Sequence, residues 1–302
     1  EDARHEYMVL SRSKTDDFVL LTTSSMMTSE VLYVDADAPD AEFKGLHPRR
    51  HGVRYYAGHG GDRFLIASDE HAENYELFEA PDSDPRRENW RTVLHHRKDV
   101  AISVSEPVPW IEAFERHIAV FERRGGLCSI RILDRDAGSD HSVALPEELS
   151  WATPWENTRF KTDKLRFTYS SMVTPKTIFE YDMGKRTLTE LRKDKIPGYD
   201  PSAYEASRAF ARAMDGAMIP IFVLMRKETP LDGRSPMLLY GYGSYGDFEG
   251  PAPEFDPDVL SLVDRGFIYA KAQIRGGGDM GGAWYKQGAM MNKVATFSDF
   301  IA

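Results

Sequence analysis

Apolar and polar positions along the first two hundred residues follow one recurring layout. A strand rich in Val, Ile, Phe, Tyr and Thr is followed by a polar turn, a second such strand and an acidic turn. The four units run Phe18-VLLTTSSMMTSEVLYV-Asp35, Phe64-LIASDEHAENYELFEAP-Asp82, Ile118-AVFERRGGLCSIRIL-Asp134 and Phe167-TYSSMVTPKTIFEY-Asp182. Their anchors lie 46, 54 and 49 residues apart. Branched and aromatic side chains suit a pleated surface, and the intervening Ser, Asp, Gly and Pro supply turn geometry. A period of about 40–50 residues built from short antiparallel strands points to a β-propeller. Weaker stretches such as Val53-RYYA and Ala101-ISV are expected to add inner strands to each blade. A β-sandwich with evenly spaced hairpins is the competing architecture. A closed four-bladed ring and an arc of a larger one remain equally open.

The pattern changes near residue 195. Runs at 206–213 and 218–224 flank the turn Met214-Asp-Gly216 and read as a hairpin. Pro236-MLLY240 is short, apolar and bounded by Pro and Gly, as a buried parallel strand would be. A helix is predicted over Pro257 to Arg265, with Gly266 beyond its end, and a strand over Phe267-IYAKAQI274. Thr296 with Asp299 fits a capping box that opens a last helix. Strand, helix, strand, helix implies a parallel α/β sheet. The expected domains are therefore 1–196, propeller blades, and 197–302, the start of an α/β domain.

Composition narrows the function. Among 302 residues, 48 acids against 38 bases give a net charge of −10, with 41% hydrophobic and 12% aromatic residues. That is ample for a core. An acidic chain lacks the clustered Lys and Arg that nucleic acid or an anionic membrane requires, so neither is an expected partner. No apolar run reaches membrane-span length, and the acidic opening EDARHEYMVL does not read as a signal peptide. Cys128 is the single cysteine, which excludes internal disulfides and favours a reducing, cytoplasmic compartment, with the periplasm as alternative. The chain opens without Met and stops at SDFIA just after a helix begins, so a longer parent is expected.

Two glycine-rich loops follow predicted strands: Tyr240-GYGSYG246 and Arg275-GGGDMG281. Both contain G-x-G-x-x-G, but a dinucleotide cradle needs a helix opening at the third glycine. Three prolines and four acids follow Gly246, and no helix signal follows Gly281 for about a dozen residues. Tyr242-GSYG246 is one residue away from a G-x-S-x-G nucleophile elbow, yet no strand-to-helix turn surrounds Ser244. The nine histidines show no metal-ligand spacing, and Cys128 lies in an apolar strand, so neither a metal nor another cofactor is expected. Tyr242, between glycines, is placed to aim its hydroxyl at a developing oxyanion. Core or interface packing of Tyr240, Tyr242 and Tyr245 explains the same residues equally well.

At this point the chain resembles a known family. Leu238-LYGYGSYG246, Leu260-SLVDRGF267, Arg275-GGGDMGGAWYKQG288 and Thr296-FSDF300 are similar to the prolyl oligopeptidase family of serine peptidases, and most to its oligopeptidase B branch. Asp35-ADAPDAE42, His47-PRR50 and Tyr169-SSMVTP175 resemble that branch's propeller. The resemblance implies a seven-bladed propeller over an α/β-hydrolase domain, a Ser-Asp-His triad between them, and cleavage of short peptides after Arg or Lys. It implies Tyr242 as side-chain oxyanion donor, Tyr245 as a wall of the substrate pocket, and a loop acid for a second basic side chain. Glu254 aligns best for that role, with Asp247, Glu249, Asp256 and Asp258 competing. No G-x-S-x-G occurs in these residues, so the triad is expected outside them and this stretch alone is expected to be inactive. A prolyl-specific or acylaminoacyl peptidase, or a non-catalytic binding module, are the alternatives.

Overall fold

The computed structural model describes residues 7–38, 40–105 and 108–302. The first six residues of the acidic opening, His5 among them, and Pro39 of the Asp35–Glu42 stretch lie outside the described residues. Each repeat unit forms the central hairpin of a sheet. Phe18–Ser25 pairs with Thr28–Asp35, Arg63–Ser68 with Glu76–Pro81, His117–Arg124 with Leu127–Asp134, and Lys164–Ser171 with Thr177–Asp182, all antiparallel. Outer strands complete each blade. Tyr55–Gly60 joins the second, while Val100–Ile102 and Ile111–Ala113 both pair with His117–Arg124 in the third.

The cores lie between blades. Leu20 and Val31 of the first blade pack with Phe64 and Ile66 of the second. Leu65 and Leu77 of the second meet Ile118 and Val120 of the third. Phe121, Ile130 and Ile132 of the third meet Leu165, Phe167 and Tyr181 of the fourth. Because strand side chains alternate between faces, each sheet needs a neighbour on either side to bury both. No hydrophobic cluster among the described residues joins the fourth blade to the first, so the blades form an open arc.

The second region is a four-stranded mixed sheet. The long hairpin Tyr204–Arg212 and Met218–Arg226 lies antiparallel, and Met218–Arg226 pairs antiparallel with Ile268–Ala272. Ile268–Ala272 pairs in parallel with Met237–Tyr240. Helix Pro257–Val263 makes the crossover between the parallel strands, with Asp256 accepting from the Asp258 N–H as its N-cap and Gly266 in the left-handed region beyond it. The helix ends two residues earlier than predicted.

Three sequence expectations are corrected. Met237–Tyr240 is parallel but not buried: it is the sheet edge, and Met237, Leu238 and Tyr240 are exposed. A helix does follow Gly281, spanning Gly282–Gln287. Thr296 and Asp299 do not form a capping box, because the last helix, Val294–Ile301, begins before them and both side chains face inward.

Candidate functional site

The edge strand Met237–Tyr240 delivers the chain into the first glycine loop. Gly243, Tyr245 and Gly246 all take positive φ, so the chain reverses within a few residues. At Gly243 a Cβ would sit 2.6 Å from the side chains of both Ile274 and Thr296. The second loop packs directly onto the first. Gly246 N–H donates to Gly276 O at 3.0 Å, and Gly278 N–H donates to Asp247 O at 2.8 Å. A Cβ on Gly276 would lie 2.2 Å from Gly243 O. Gly243 and Gly246 thus pack on Gly276 and Gly278, while Gly241 lies against Phe300 and Gly281 against Asn74, so both G-x-G-x-x-G runs are taken up by contacts within the protein. The absence of a helix after Gly281 was the wrong reason to set aside a dinucleotide; the packed glycines are the right one.

Buried polar groups hold this pair of loops. Asp299, fully buried, accepts from Arg275 N–H (3.0 Å), Nε (2.8 Å) and Nη2 (2.6 Å). Asp215 in the hairpin turn takes Arg275 Nη1 at 2.5 Å. These carboxylates keep the Arg275 guanidinium firmly cationic despite its burial. Thr296 Oγ1 donates to the carbonyls of Arg275 (2.7 Å) and Gly288 (3.2 Å). Lys293 Nζ donates to Gly243 O and to Ser244 Oγ, the latter at 2.6 Å. Ser244 sits inside this clamped loop and not on a strand-to-helix elbow, so it lacks the setting of a G-x-S-x-G nucleophile. Sequence reasoning missed Lys293 and the Arg275–Asp299 pair; the spacing 296/299 was a signal, read as a cap when it was a clasp.

Tyr240, Tyr242 and Tyr245 are 39%, 44% and 72% exposed, so none is a core aromatic within this chain. Tyr245 faces a cavity of about 500 Å³ between the loop and the blades. Its walls are Tyr245 to Glu249 of the loop, Glu73, Asn74 and Tyr75 of the second blade, and Arg123 of the third. Asn74 Oδ1 accepts from Gly282 N–H at 2.8 Å, Lys286 pairs with Glu73 at 3.1 Å, and Gln273 Nε2 donates to Gly126 O at 3.0 Å, which ties the blades to the glycine loops. Phe248 inserts between Trp110 and Trp151 with ring centroids 5.6 and 5.8 Å away.

The competing loop acids are now separated. Glu249 and Asp247 line the cavity, whereas Glu254 does not. Asp247 is occupied by the N–H groups of Glu249 and Gly250, both at 3.1 Å. Asp256 caps its helix, and Asp258 lies in that helix's first turn. Glu249 lines the cavity, and its carboxylate takes no part in a turn or a cap.

Outside the cavity, Thr15, His59 and Asp82 line up in a hydroxyl–imidazole–carboxylate relay, with contacts of 3.2 and 3.4 Å. His59 is buried between the first two blades, and burial lowers its pKa, so the relay is a tie between sheets. Cys128 Sγ donates to Ser150 O at 3.1 Å, and burial pushes the thiol up to about 12, far from a reactive thiolate. Among the described residues no group of three or more His, Cys, Asp or Glu is arranged to hold a metal ion.

The model of the prolyl oligopeptidase N-terminal β-propeller domain matches residues 1–194, and that of the prolyl oligopeptidase family matches residues 253–302. The chain belongs to the prolyl oligopeptidase family. Dipeptidyl aminopeptidase BI of Pseudoxanthomonas mexicana is 38% identical over 98% of this chain and 40% of its own length. Protease 2 of Moraxella lacunata is 29% identical over 98% of this chain and 41% of its own. The structure of oligopeptidase B from Leishmania major superposes with a TM-score of 0.89 and 29% identity, covering 98% of this chain and 42% of that one. The chain thus spans about two-fifths of the length of the curated relatives it matches. The architecture is that of this family: propeller blades followed by the first part of the α/β-hydrolase domain.

Proposed function

We propose that the longer protein containing this chain is a serine-type oligopeptidase that cleaves short peptides after Arg or Lys. The observation that carries this reading is the Tyr240–Gly246 loop, clamped by the second glycine loop and opening onto a cavity beneath the blades that Glu249 lines. Tyr242 would donate its hydroxyl to the oxyanion formed when a serine attacks the scissile carbonyl. A histidine would take the serine's proton and return it to the leaving amine, oriented by an aspartate; all three would lie outside these 302 residues. Tyr245 would form a wall for the residue before the cut bond. Glu249, rather than Glu254, would take the second basic side chain. A net charge of −10 would also raise the local concentration of cationic peptides around the chain. Cytoplasmic residence is proposed on Cys128, a lone cysteine kept as an inert thiol.

Full-length protein assayed on matched fluorogenic peptides tests the proposal. Peptides with Arg or Lys before the reporter should exceed the Pro peptide in kcat/KM by about 100-fold or more, as pairing of a buried charge permits. Preference for Pro would instead favour a prolyl-specific peptidase. The 38% identity to a dipeptidyl aminopeptidase supports a second reading, release of amino-terminal dipeptides. Blocking the peptide's amino terminus would then abolish cleavage.

A further inference from the structure

Arg123 is the one buried cation of the cavity wall whose donors are left open. It lies near the end of the central strand His117–Arg124, is 7% exposed, and stacks with its guanidinium 3.5 Å from the centroid of the Phe248 ring. Its Nε and Nη1 find no hydrogen-bond acceptor. The preceding residue makes the contrast: Glu122 is served by both Arg97 and Arg131. Burial lowers the Arg123 pKa only to about 10, so the group is a cation at neutral pH. A buried charge without hydrogen bonds is costly to maintain, and a chain that keeps one beside a cavity has a use for its open donors.

Four other walls are already committed. Arg54 pairs with Asp69, Glu73 with Lys286, Asn74 with Gly282, Arg97 and Lys98, and Asp247 with its own turn. Asp279, buried in the second glycine loop, is near enough to Arg123 to feel its charge, yet neither of its oxygens has a hydrogen-bond partner. Burial raises the Asp279 carboxyl to about 7; Glu249 and Asp247 also act on the Arg123 charge, but none of the three carboxylates hydrogen-bonds its Nε or Nη1. Of the charged groups lining the cavity, Glu249 and Arg123 make no salt bridge among the described residues.

We propose that Arg123 is the carboxylate receptor of this cavity, binding an anionic group on the same peptide whose basic group faces Glu249. The inference rests on the peptide-binding reading of the cavity and adds a specificity element supplied by a propeller blade. The carboxylate is either the peptide's own terminus or an acidic side chain. A peptide terminus bound there would make the blade a ruler for the length beyond the basic residue.

The test uses full-length protein and titration calorimetry, with a short Arg peptide made uncleavable by N-methylation of the scissile amide. It is prepared as the free acid, as the C-terminal amide, and as two amides ending in Glu or Gln. A charge-assisted hydrogen bond predicts that one carboxylate form binds about 10- to 100-fold more tightly than its neutral partner. Preference for the free acid identifies the terminus, and preference for Glu over Gln identifies a side chain. In Arg123→Gln the preferred ratio should fall to near 1, and in Arg123→Lys part of it should return. Equal binding of all four peptides by the wild type overturns the proposal, whether or not a variant folds. So does an Arg123→Gln protein, folded by its melting curve, that weakens every peptide by one factor. Binding with the predicted preference but no cleavage of ordinary Arg peptides would break the peptidase reading and leave the carboxylate site standing. No binding of any peptide would remove both.

Discussion

The blades and the paired glycine loops are built on opposite principles. In the blades, stability is spread over many apolar contacts between neighbouring sheets, with Ile66, Ile118, Ile130 and Phe167 all fully or almost fully buried. No single position decides the shape, and each sheet depends on its neighbours alone. In the loops, few apolar side chains are present; glycines pressed backbone to backbone and a handful of buried charges set the geometry. A repeat tolerates local change because its contacts are many and alike. The loop pair concentrates its stability in a few contacts, each without a substitute.

The largest effect that would sharpen this contrast is at Asp299. In Asp299→Ala, Arg275 keeps its burial and loses three hydrogen bonds, which should cost about 3–5 kcal/mol. Thermal unfolding of the intact protein should show the hydrolase-domain transition falling while the blades' transition holds. Next comes a matched pair of subtle changes. Gly276→Ala adds one methyl at positive φ against Gly243 O and should cost about 3 kcal/mol. Ile130→Leu, in the middle of a blade core, should cost about 1 kcal/mol. Equal losses in urea unfolding would break the comparison.

A smaller effect follows from Asp279. Its folded carboxyl holds a proton up to about 7, whereas the unfolded chain releases it near the usual value of about 4. Between those values the native state binds more protons than the unfolded state, so stability falls as pH rises. Asp279→Asn should remove that slope, so its melting temperature gains on the wild type from pH 4 to pH 8. A constant difference across that range would show that Asp279 is not the group responsible.

Legibility in the sequence followed the same division. Blade hairpins were readable because alternation and period are repeated physical demands: Phe18, Phe64, Ile118 and Phe167 recur for one reason, the filling of a space between sheets. The hairpin around Asp215 and the helix after Asp256 were readable from turn and cap chemistry. Long-range contacts were not. Thr296 and Asp299 have a cap's spacing, and only the position of Arg275 shows that they clasp a loop. The strand Met237–Tyr240 reads as buried from its apolar run, yet within this chain it is an edge. The helix after Gly281 is six residues long, too short for periodicity to reveal. Among the loop acids the resemblance favours Glu254, whereas the folded cavity is lined by Glu249 and Asp247 and not by Glu254. Arg123 was invisible for a similar reason, lying in the charged run Glu122-Arg-Arg124 that reads as a strand end, with its partner Phe248 more than a hundred residues away.

In the proposed reaction the rigid Tyr240–Gly246 loop presents the Tyr242 hydroxyl to the reacting carbonyl. Tyr242→Phe in the full-length protein removes that oxygen and leaves the ring and the loop contacts in place. Steady-state kinetics on a Lys or Arg fluorogenic peptide should show kcat reduced by about 10²–10³, with KM changed by no more than about threefold, as for loss of one oxyanion donor. A Tyr242→Phe enzyme with kcat within twofold of the wild type would contradict the account.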